Sequence, residues 1–217
     1  MWDYDGTVVD TQPIWFEADR RMAAAYGLTW DETQEAALIG VSGAVAAERF
    51  LAATGITGFD EVALDRWRCE LVAEMEAAID PPYLPGVRDL LAECRAAGLP
   101  CALVSASPRH ILDAGLSRME DWFAVTIARE DFAVQKPAPD GYLQAAAHLG
   151  VDPRACLVIE DSEPGCTAGR ASGAMVLGIP NMTPLTPHPG QVIRDSLLGL
   201  RFADLSGLYE QAARTRA

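Results

Sequence analysis

Two aspartates near the start of the chain have the spacing of an acid–base pair. Asp3 and Asp5 are separated by one residue, and residues i and i+2 leave an extended strand on the same face. Two carboxylates held together repel each other unless a cation or a shared proton relieves the repulsion. The pair therefore predicts a shared chemical site, and a solvated Asp-Gly turn is the alternative for this segment taken alone.

Ser105 could bind an anion at the start of a helix. It follows the apolar residues 101–104 and precedes Ser107-Pro108, where a serine N-cap and a proline at the first helical position would begin a helix. The free backbone N–H groups of a helix N-terminus favour negative groups. Simple helix capping is the alternative, and we expect Ser107 to cap the helix in either case.

An acidic pair and a lysine complete the polar residues that apolar packing does not explain. Glu160 and Asp161 follow the apolar residues 155–159, and Lys136 lies in a proline-containing loop. Carboxylate oxygens are ligands that Mg²⁺ prefers, together with water and phosphate. Glu160 and Asp161 therefore predict a metal site, with a polar turn as the alternative, and Lys136 taken alone is expected to be a solvated loop lysine.

The segments that must position these residues alternate between strand and helix after residue 86. Short, wholly apolar runs indicate parallel strands that helices cover on both faces. In such sheets ligands bind at the carboxyl ends of the strands, which is where Ser105 and the acidic pair fall. The predicted strands are residues 101–104, 125–128, 155–159, 174–178 and 202–205, and the predicted helices are residues 87–97, 108–116, 139–149, 164–171 and 208–214.

The region between the two aspartates and this α/β part has a different periodicity. From Pro13 to Ile79 the apolar residues recur at spacings of three and four, as an amphipathic helix requires, and no strand is convincing. Residues 29–32 are typical of a capping box, and the proline-rich residues 81–86 indicate a hinge. We therefore predict an α/β core of residues 1–11 and 81–217, interrupted by an all-helical insertion of residues 12–80, called the helical segment below.

Four motifs occur in a characteristic order along the chain. They are Asp3-Tyr4-Asp5-Gly6-Thr7, Leu103-Val104-Ser105, Lys136-Pro137 and Ile159-Glu160-Asp161-Ser162. This order resembles the haloacid dehalogenase-like hydrolase superfamily, which implies a Rossmann-like parallel sheet with the helical segment as its cap domain. The chain looks most like the branch of sugar-phosphate and phosphoglycolate phosphatases and β-phosphoglucomutase, and residues 10–15, 84–87 and 104–108 look closest to hexitol or deoxyhexose phosphate phosphatases.

The resemblance implies a covalent phosphoryl-transfer mechanism. Asp3 would be the nucleophile that forms an aspartyl-phosphate. Asp5 would be the general acid that protonates the leaving alkoxide and the base that then activates water. Lys136 would balance the charge on Asp3 and on the transferring phosphoryl group, and Ser105 would act in catalysis as a phosphate ligand. The expected phosphate-binding residues are Gly6, Thr7, Ser105, Ala106 and Lys136.

The same resemblance implies a Mg²⁺ cofactor. Asp3, the backbone carbonyl of Asp5 and Asp161 would hold the ion, and Glu160 would be a ligand directly or through water. The ion would neutralise phosphoryl charge and align the attack.

The helical segment would close over the site and contact the leaving group. Its candidate substrate contacts are Trp15, Glu17 and Arg49, each with a structural or solvated role as the alternative, and Arg109 is a weaker candidate near the phosphate. The mutase branch places a histidine close to where Trp15 falls. The three histidines of this chain, at positions 110, 148 and 188, lie outside the helical segment, which argues against a mutase.

Three functions remain open from the sequence. The first is a Mg²⁺-dependent phosphatase that acts on a small phosphorylated sugar, polyol or phosphoglycolate-like metabolite. The second is a β-phosphoglucomutase-like phosphosugar mutase, and the third is a non-catalytic binding protein on the same scaffold. The presence of both Asp3 and Asp5 weighs against the third, because a binding module needs neither a nucleophile nor an acid.

Composition limits the partners. Asp and Glu number 31 against 17 Lys and Arg among 217 residues, a formal net charge of -14. This balance argues against nucleic acid, which requires a basic stripe, and against an anionic membrane surface. No run reaches the roughly 18 apolar residues of a membrane span, and the first residues lack the pattern of a secretory signal. We expect a monomer or weak dimer whose partner is a small phosphorylated metabolite.

The cysteines and the chain start add two expectations. The five cysteines are widely spaced without a Cys-x-x-Cys pair, which favours free thiols in the reducing cytoplasm over disulfides or zinc. Only Met1 and Trp2 precede Asp3, whereas a central strand needs about five residues. We therefore expect either that the natural chain begins upstream of Met1 or that its first strand is damaged.

Overall fold

A parallel sheet forms the middle of the computed structural model, which describes residues 1–41 and 43–216. Its strands are β1 (Ala102–Val104), β2 (Val125–Ile127), β3 (Leu157–Glu160), β4 (Met175–Gly178) and β5 (Gln191–Ile193). β1 pairs with β2, and β4 pairs with both β3 and β5, in each case in parallel. The residues of β1 and β4 are buried throughout, as expected for strands that helices cover on both faces.

The start of the chain joins the two parts of this sheet. Trp2 makes parallel bridges to Leu103 of β1 and to Ile159 of β3. Its backbone N–H donates to the carbonyl of Ala102 at 2.8 Å, and the N–H of Asp3 donates to the carbonyl of Ile159 at 3.0 Å. Because all these strands run in the same direction, Asp3 leaves the sheet at the edge where β1 and β3 end.

Five helices cover the sheet. They are α5 (Val87–Ala96), α6 (Arg109–Leu116), α7 (Asp140–Leu149), α8 (Glu163–Ala171) and α9 (Phe202–Arg216). The predicted strand over residues 202–205 is wrong, because this segment is the first turn of α9. The Asp204 carboxylate accepts the backbone N–H of Arg201, a local bond that starts a helix and leaves no extended backbone for a ladder. The real last strand, β5, escaped prediction because only two of its three residues are apolar.

The helical segment contains four helices and, among its described residues 12–41 and 43–80, no strand. They are α1 (Gln12–Ala24), α2 (Glu32–Ala36), α3 (Gly43–Thr54) and α4 (Glu61–Ala78). The capping box lies two residues later than the motif at residues 29–32 suggested. The Asp31 side chain accepts from the backbone of Thr33 and Gln34, and the Gln34 side chain accepts from the backbone of Asp31.

The helical segment packs against α6 through an apolar cluster. Ile14 and Ala18 of α1 and Val72 of α4 form one buried cluster with Ile111 of α6. This contact places the first helix of the segment beside the edge at which Asp3 leaves the sheet. Among the described residues, no helix is long and apolar enough to span a membrane.

Candidate active site

Asp3 and Lys136 form the centre of a buried cluster at the carboxyl edge of the sheet. The Lys136 ammonium donates to Asp3 Oδ1 at 2.5 Å, to Glu160 Oε1 at 2.7 Å and to the Val104 carbonyl at 3.0 Å. These three acceptors satisfy the three N–H bonds of a lysine side chain. Burial acts to lower the pKa of Lys136, but the carboxylates of Asp3 and Glu160 raise it well above its ordinary value.

Glu160, the last residue of β3, is the most deeply buried carboxylate of this cluster and is fixed by hydrogen bonds. Its side chain is fully buried. Besides Lys136, Oε1 accepts the Tyr142 hydroxyl at 3.0 Å, and Oε2 accepts the backbone N–H groups of Asp161 and Ser162 and the Ser162 hydroxyl. The carboxylate is therefore bonded on both oxygens, as a buried charge requires.

Asp161 lies against the first turn of the chain. The Thr7 hydroxyl donates to its Oδ1 at 3.4 Å. Gly6 has a positive φ of 81°, and a Cβ added there would lie 2.4 Å from Asp161 Oδ2. Only glycine therefore permits both this backbone conformation and this close approach.

Three carboxylates in this cluster share one lysine. Oxygens of Asp3, Glu160 and Asp161 lie within 4.8 Å of one another. Burial, and next the carboxylate of Glu160, raise the pKa of Asp3 to about 7. Burial, followed by the carboxylates of Asp3 and Glu160, raises the pKa of Asp161 to about 9. This excess of negative charge fits a bound cation with oxygen ligands.

Asp5 lies in a different environment, among hydroxyl groups. Oδ1 accepts the Thr11 hydroxyl at 2.8 Å and the indole N–H of Trp15 at 3.5 Å. Oδ2 accepts the hydroxyl of Ser105 at 3.1 Å and that of Ser107 at 2.7 Å. The two aspartates therefore leave the same short segment toward different partners: Asp3 contacts a fixed positive charge, and Asp5 contacts neutral donors.

The structure corrects the expected role of Ser107. The N-cap of α6 is Pro108, which makes no side-chain cap bond. The Ser107 hydroxyl donates to Asp5 instead, and the Ser107 backbone N–H donates to the Ser105 hydroxyl at 2.9 Å. The serine lies one residue too early to accept a backbone N–H as a cap, and its hydroxyl donates to the carboxylate of Asp5 instead.

Most of the other residues that the sequence suggested for the site lie apart from Asp3 and Asp5. Ala106 is exposed between the two serines. The Arg49 side chain donates to the Ala37 carbonyl inside the helical segment, and Glu17 pairs with Arg20 and Arg21 on its surface. Arg109 binds Asp113, Thr126 and Asp131. Of the four weaker candidates, only Trp15 bonds to one of the two aspartates.

Sequence reasoning missed two neighbours of the cluster. Tyr142 binds Glu160, and the Lys136 ammonium lies 5.1 Å from the centre of its ring. The Asn181 side chain donates to the Gly6 carbonyl at 3.2 Å. Asn181 follows β4 within three residues, so the search at strand ends could have found it. Tyr142 lies within an apolar helix face, which carries no such signal.

Comparison with known proteins identifies the family. A model described as haloacid dehalogenase-like hydrolase matches residues 1–173. The chain belongs to the haloacid dehalogenase-like hydrolases. This confirms the resemblance seen in the four motifs and the expectation of a hydrolase.

Relatives within this family include phosphatases. Hexitol phosphatase B of Escherichia coli (strain K12) is 30% identical over 184 residues, which cover 83% of this chain and 82% of that protein. CbbY of Rhodobacter capsulatus is 31% identical over 191 residues, covering 83% and 84%. The bifunctional riboflavin kinase/FMN phosphatase of Arabidopsis thaliana is 32% identical over 207 residues, and the chain matches 53% of its length.

Solved structures share the fold. CbbY from Rhodobacter sphaeroides, in complex with xylulose-(1,5)bisphosphate, has a TM-score of 0.80 and 26% identity, covering 94% of this chain and 96% of that one. The β-phosphoglucomutase from Clostridium difficile has a TM-score of 0.78 and 24% identity, covering 97% and 96%. The predicted fold class, a parallel α/β sheet with a helical region near the start, is confirmed.

Proposed function

We propose that the protein is a Mg²⁺-dependent phosphatase that hydrolyses a small phosphorylated sugar or polyol through an aspartyl-phosphate on Asp3. The contrast between the two aspartates carries this proposal. Two carboxylates in one site serve two roles when their environments differ. Here Asp3 contacts the Lys136 ammonium and Asp5 contacts hydroxyl and indole donors.

Asp3 is the proposed nucleophile. The Lys136 ammonium at 2.5 Å favours its ionised form and leaves Oδ2 outside that bond. In the first step a carboxylate oxygen of Asp3 forms a bond to phosphorus, and the bond from phosphorus to the substrate oxygen breaks. The leaving alkoxide takes the proton of Asp5, whose Oδ2 is bonded to Ser105 and Ser107.

The second step regenerates the free carboxylate of Asp3. Asp5, now ionised, removes a proton from water while the water oxygen bonds to phosphorus and the bond from phosphorus to Asp3 breaks. Inorganic phosphate leaves, Asp3 is again a carboxylate and Asp5 is again protonated. Ser105, buried at the end of β1, supports phosphate binding together with the backbone amide of Ala106, an exposed residue.

Mg²⁺ would be held by Asp3, Asp161 and the backbone carbonyl of Asp5. Burial, and next the neighbouring carboxylates, raise the pKa of Asp3 to about 7 and that of Asp161 to about 9, and a cation bound here would favour the ionised form of both groups. When bound, the ion supplies neutralisation of phosphoryl charge. The hydrogen bonds on both oxygens of Glu160 favour a supporting role that holds Lys136, with any contact to the ion made through water.

The relatives support the substrate class. Hexitol phosphatase B and CbbY match most of this chain over most of their own length, which favours a sugar or polyol phosphate. The five cysteines are free and buried, which supports a reducing cytoplasmic location.

A phosphomonoester panel tests the function. The chain is incubated with sugar, polyol and glycolate phosphates, with Mg²⁺ and after chelation, and released inorganic phosphate is measured. We expect release from at least one sugar or polyol phosphate with Mg²⁺ and none after chelation. Isomerised product with little phosphate would indicate the mutase instead, and binding without turnover of any ester would indicate a binding protein.

A further inference from the structure

Asp65 and Arg129 form an ion pair between the helical segment and the core. The Arg129 guanidinium donates to Asp65 Oδ2 at 3.4 Å. Asp65 lies on α4, and Arg129 follows the end of β2 by two residues. Arg129 therefore lies at the carboxyl edge of the sheet, where Asp3 also leaves it and where ligands bind in sheets of this kind.

The backbone of Arg129 is fixed to the core beside Asp5. Its N–H donates to the Ser107 carbonyl at 3.0 Å, and the Ser107 hydroxyl donates to Asp5 Oδ2 at 2.7 Å. Its carbonyl accepts the side chain of Gln135, the neighbour of Lys136 in the chain, at 2.9 Å. The backbone of Arg129 is therefore held by the two segments that contact the proposed general acid and carry the site lysine.

Asp65 is connected to the same place through the helical segment. It lies one turn before Arg68 on α4, and residues three apart share one face of a helix. The Arg68 guanidinium lies 4.7 Å from the centre of the Trp15 ring, and the Trp15 indole N–H donates to Asp5 Oδ1 at 3.5 Å. Two series of contacts therefore start at Asp5, one through the helical segment and one through the core. The pair of Asp65 and Arg129 joins their far ends.

The ion pair has hydrogen-bonding capacity left for a ligand. A guanidinium has five N–H donors, and among the described residues that of Arg129 bonds only to Asp65. The two side chains are 37% and 17% exposed, respectively. A hydroxyl group fits this pair, because it can accept from the guanidinium and donate to the carboxylate. An anionic group would instead face the carboxylate of Asp65, which already balances the charge of the guanidinium, and juxtaposed like charges are unfavourable.

We infer that Asp65 and Arg129 select the organic part of the substrate, accepting neutral hydroxylated chains and disfavouring a second anionic group. This inference rests on the proposed phosphatase function, in which Asp5 protonates the oxygen between phosphorus and the leaving group. The leaving group therefore starts beside Asp5 and extends between the two series of contacts toward the pair. A sugar or polyol monophosphate fits this pair, whereas a bisphosphate or a phosphorylated carboxylic acid does not.

Matched phosphate esters test this selection. Sorbitol 6-phosphate and 6-phosphogluconate differ only in one end group, a hydroxymethyl group in the first and a carboxylate in the second. The shorter esters 2-hydroxyethyl phosphate and 2-phosphoglycolate differ in the same way, and p-nitrophenyl phosphate has neither group. In the matched set that the wild type hydrolyses faster, we expect kcat/KM to be at least about tenfold higher for the hydroxymethyl ester, the size of one hydrogen bond to a charged group.

Variants of similar shape assign the selection to the ion pair. Asp65→Asn removes the negative charge, so we expect kcat/KM for the carboxylate ester to rise about tenfold. Arg129→Gln removes the guanidinium, so we expect KM for the hydroxymethyl ester to rise about tenfold while kcat changes within about twofold. Neither variant should change hydrolysis of p-nitrophenyl phosphate by more than about twofold. Glu70→Gln and Arg66→Gln make the same charge changes at exposed positions of α4 and should keep the wild-type preference.

The outcomes distinguish this inference from the proposed function. Equal kcat/KM for the two matched esters in the wild type, or an unchanged preference in Asp65→Asn, would overturn the inference while the phosphatase function stands. Phosphate release from p-nitrophenyl phosphate alone would also overturn the inference. No release from any ester would overturn the proposed function and the inference with it. Because Asp65→Asn is expected to gain activity on the carboxylate ester, a loss of folding cannot imitate the expected result.

Discussion

Two buried clusters of charge in this protein are built on opposite principles. At the carboxyl edge of the sheet, oxygens of the carboxylates of Asp3, Glu160 and Asp161 lie within 4.8 Å of one another, and the Lys136 ammonium bonds to Asp3 and Glu160. In the helical segment, Asp19 and Arg68 form a one-to-one pair in which both carboxylate oxygens accept guanidinium N–H groups. The first cluster is negative as a whole, and the second is neutral.

The difference teaches that burial of charge does not by itself mark a chemical site. A balanced pair whose carboxylate accepts a bond on each oxygen is stable without a ligand, although its desolvation makes it no stronger than apolar packing. An unbalanced cluster requires a cation, a proton or a substrate to lower its free energy. The charge imbalance, together with the placement at strand ends, separates the proposed active site from the structural pair.

Replacing the proposed nucleophile should have the largest effect on the unbalanced cluster. We expect Asp3→Asn to lower kcat by more than about a thousandfold, because no bond from this side chain to phosphorus can then form. Binding of the phosphate ester should persist, since Lys136 and Ser105 remain. Asp10→Asn, which removes the same charge from the same segment, is the control and should retain turnover. Equal rates for Asp3→Asn and wild type in a phosphate-release assay would refute the covalent mechanism.

Breaking the balanced pair of Asp19 and Arg68 should lower the free energy of unfolding more than it lowers the catalytic rate. Arg68→Met leaves the buried carboxylate of Asp19 without its partner, which should lower the free energy of unfolding by about 3–5 kcal/mol. Urea unfolding measures this loss. The exposed pair of Arg21 with Glu17 supplies the control, and Arg21→Met should change stability by less than about 1 kcal/mol. Similar values for the two variants would remove the distinction between buried and exposed pairs.

Supplying a cation should stabilise the unbalanced cluster alone. A ligand that binds only the folded state stabilises it by about 2.7 kcal/mol at a hundred times its dissociation constant. We expect Mg²⁺ to raise the unfolding temperature of the wild type and of Arg21→Met, and to leave that of Asp161→Asn nearly unchanged. Calorimetry with and without Mg²⁺ measures the shift. An equal rise in all three proteins would place the ion elsewhere.

Glu76 offers a third arrangement, an acid whose only described partner is a hydroxyl. The Tyr4 hydroxyl donates to Oε2 at 2.8 Å, and Oε1 is buried with no partner among the described residues. Burial, and next the charge of Asp5, raise the pKa of Glu76 from 4.5 to about 8. The folded state therefore holds a proton that the unfolded state releases above pH 4.5.

This arrangement predicts a loss of stability as pH rises. The contribution of Glu76 is fully present below pH 4.5 and is lost as pH rises through about 8. Glu76→Gln keeps an acceptor for Tyr4 and removes the titration, so we expect its unfolding free energy to fall less than that of the wild type between those pH values. Denaturant unfolding at several pH values, with Mg²⁺ present throughout, measures the two slopes. Parallel slopes would show that Glu76 is ionised in the folded protein.

Much of the site could be predicted because its residues follow apolar runs. Ser105 and Glu160 each stand at or beside the end of a strand that the apolar pattern marked. Asp3 follows Trp2, which bridges to both of these strands in the structure. Parallel strands must align their carboxyl ends at one edge of the sheet. Residues at those ends therefore lie close together, independently of the conformation of the connecting loops. The last strand was misplaced because residues 191–193 and 202–205 are too short for periodicity to separate strand from helix.

The sequence by itself determined which chemical groups this protein has, the helical character of residues 12–80 and the parallel sheet, because periodicity and residue type are local properties. Only the tertiary structure decided the partner of each group. Lys136 bonds to Asp3, which lies 133 positions away along the chain, and Ser107 bonds to Asp5, which lies 102 positions away. Such contacts depend on how the elements pack, and no local pattern records which of several carboxylates a buried donor will face.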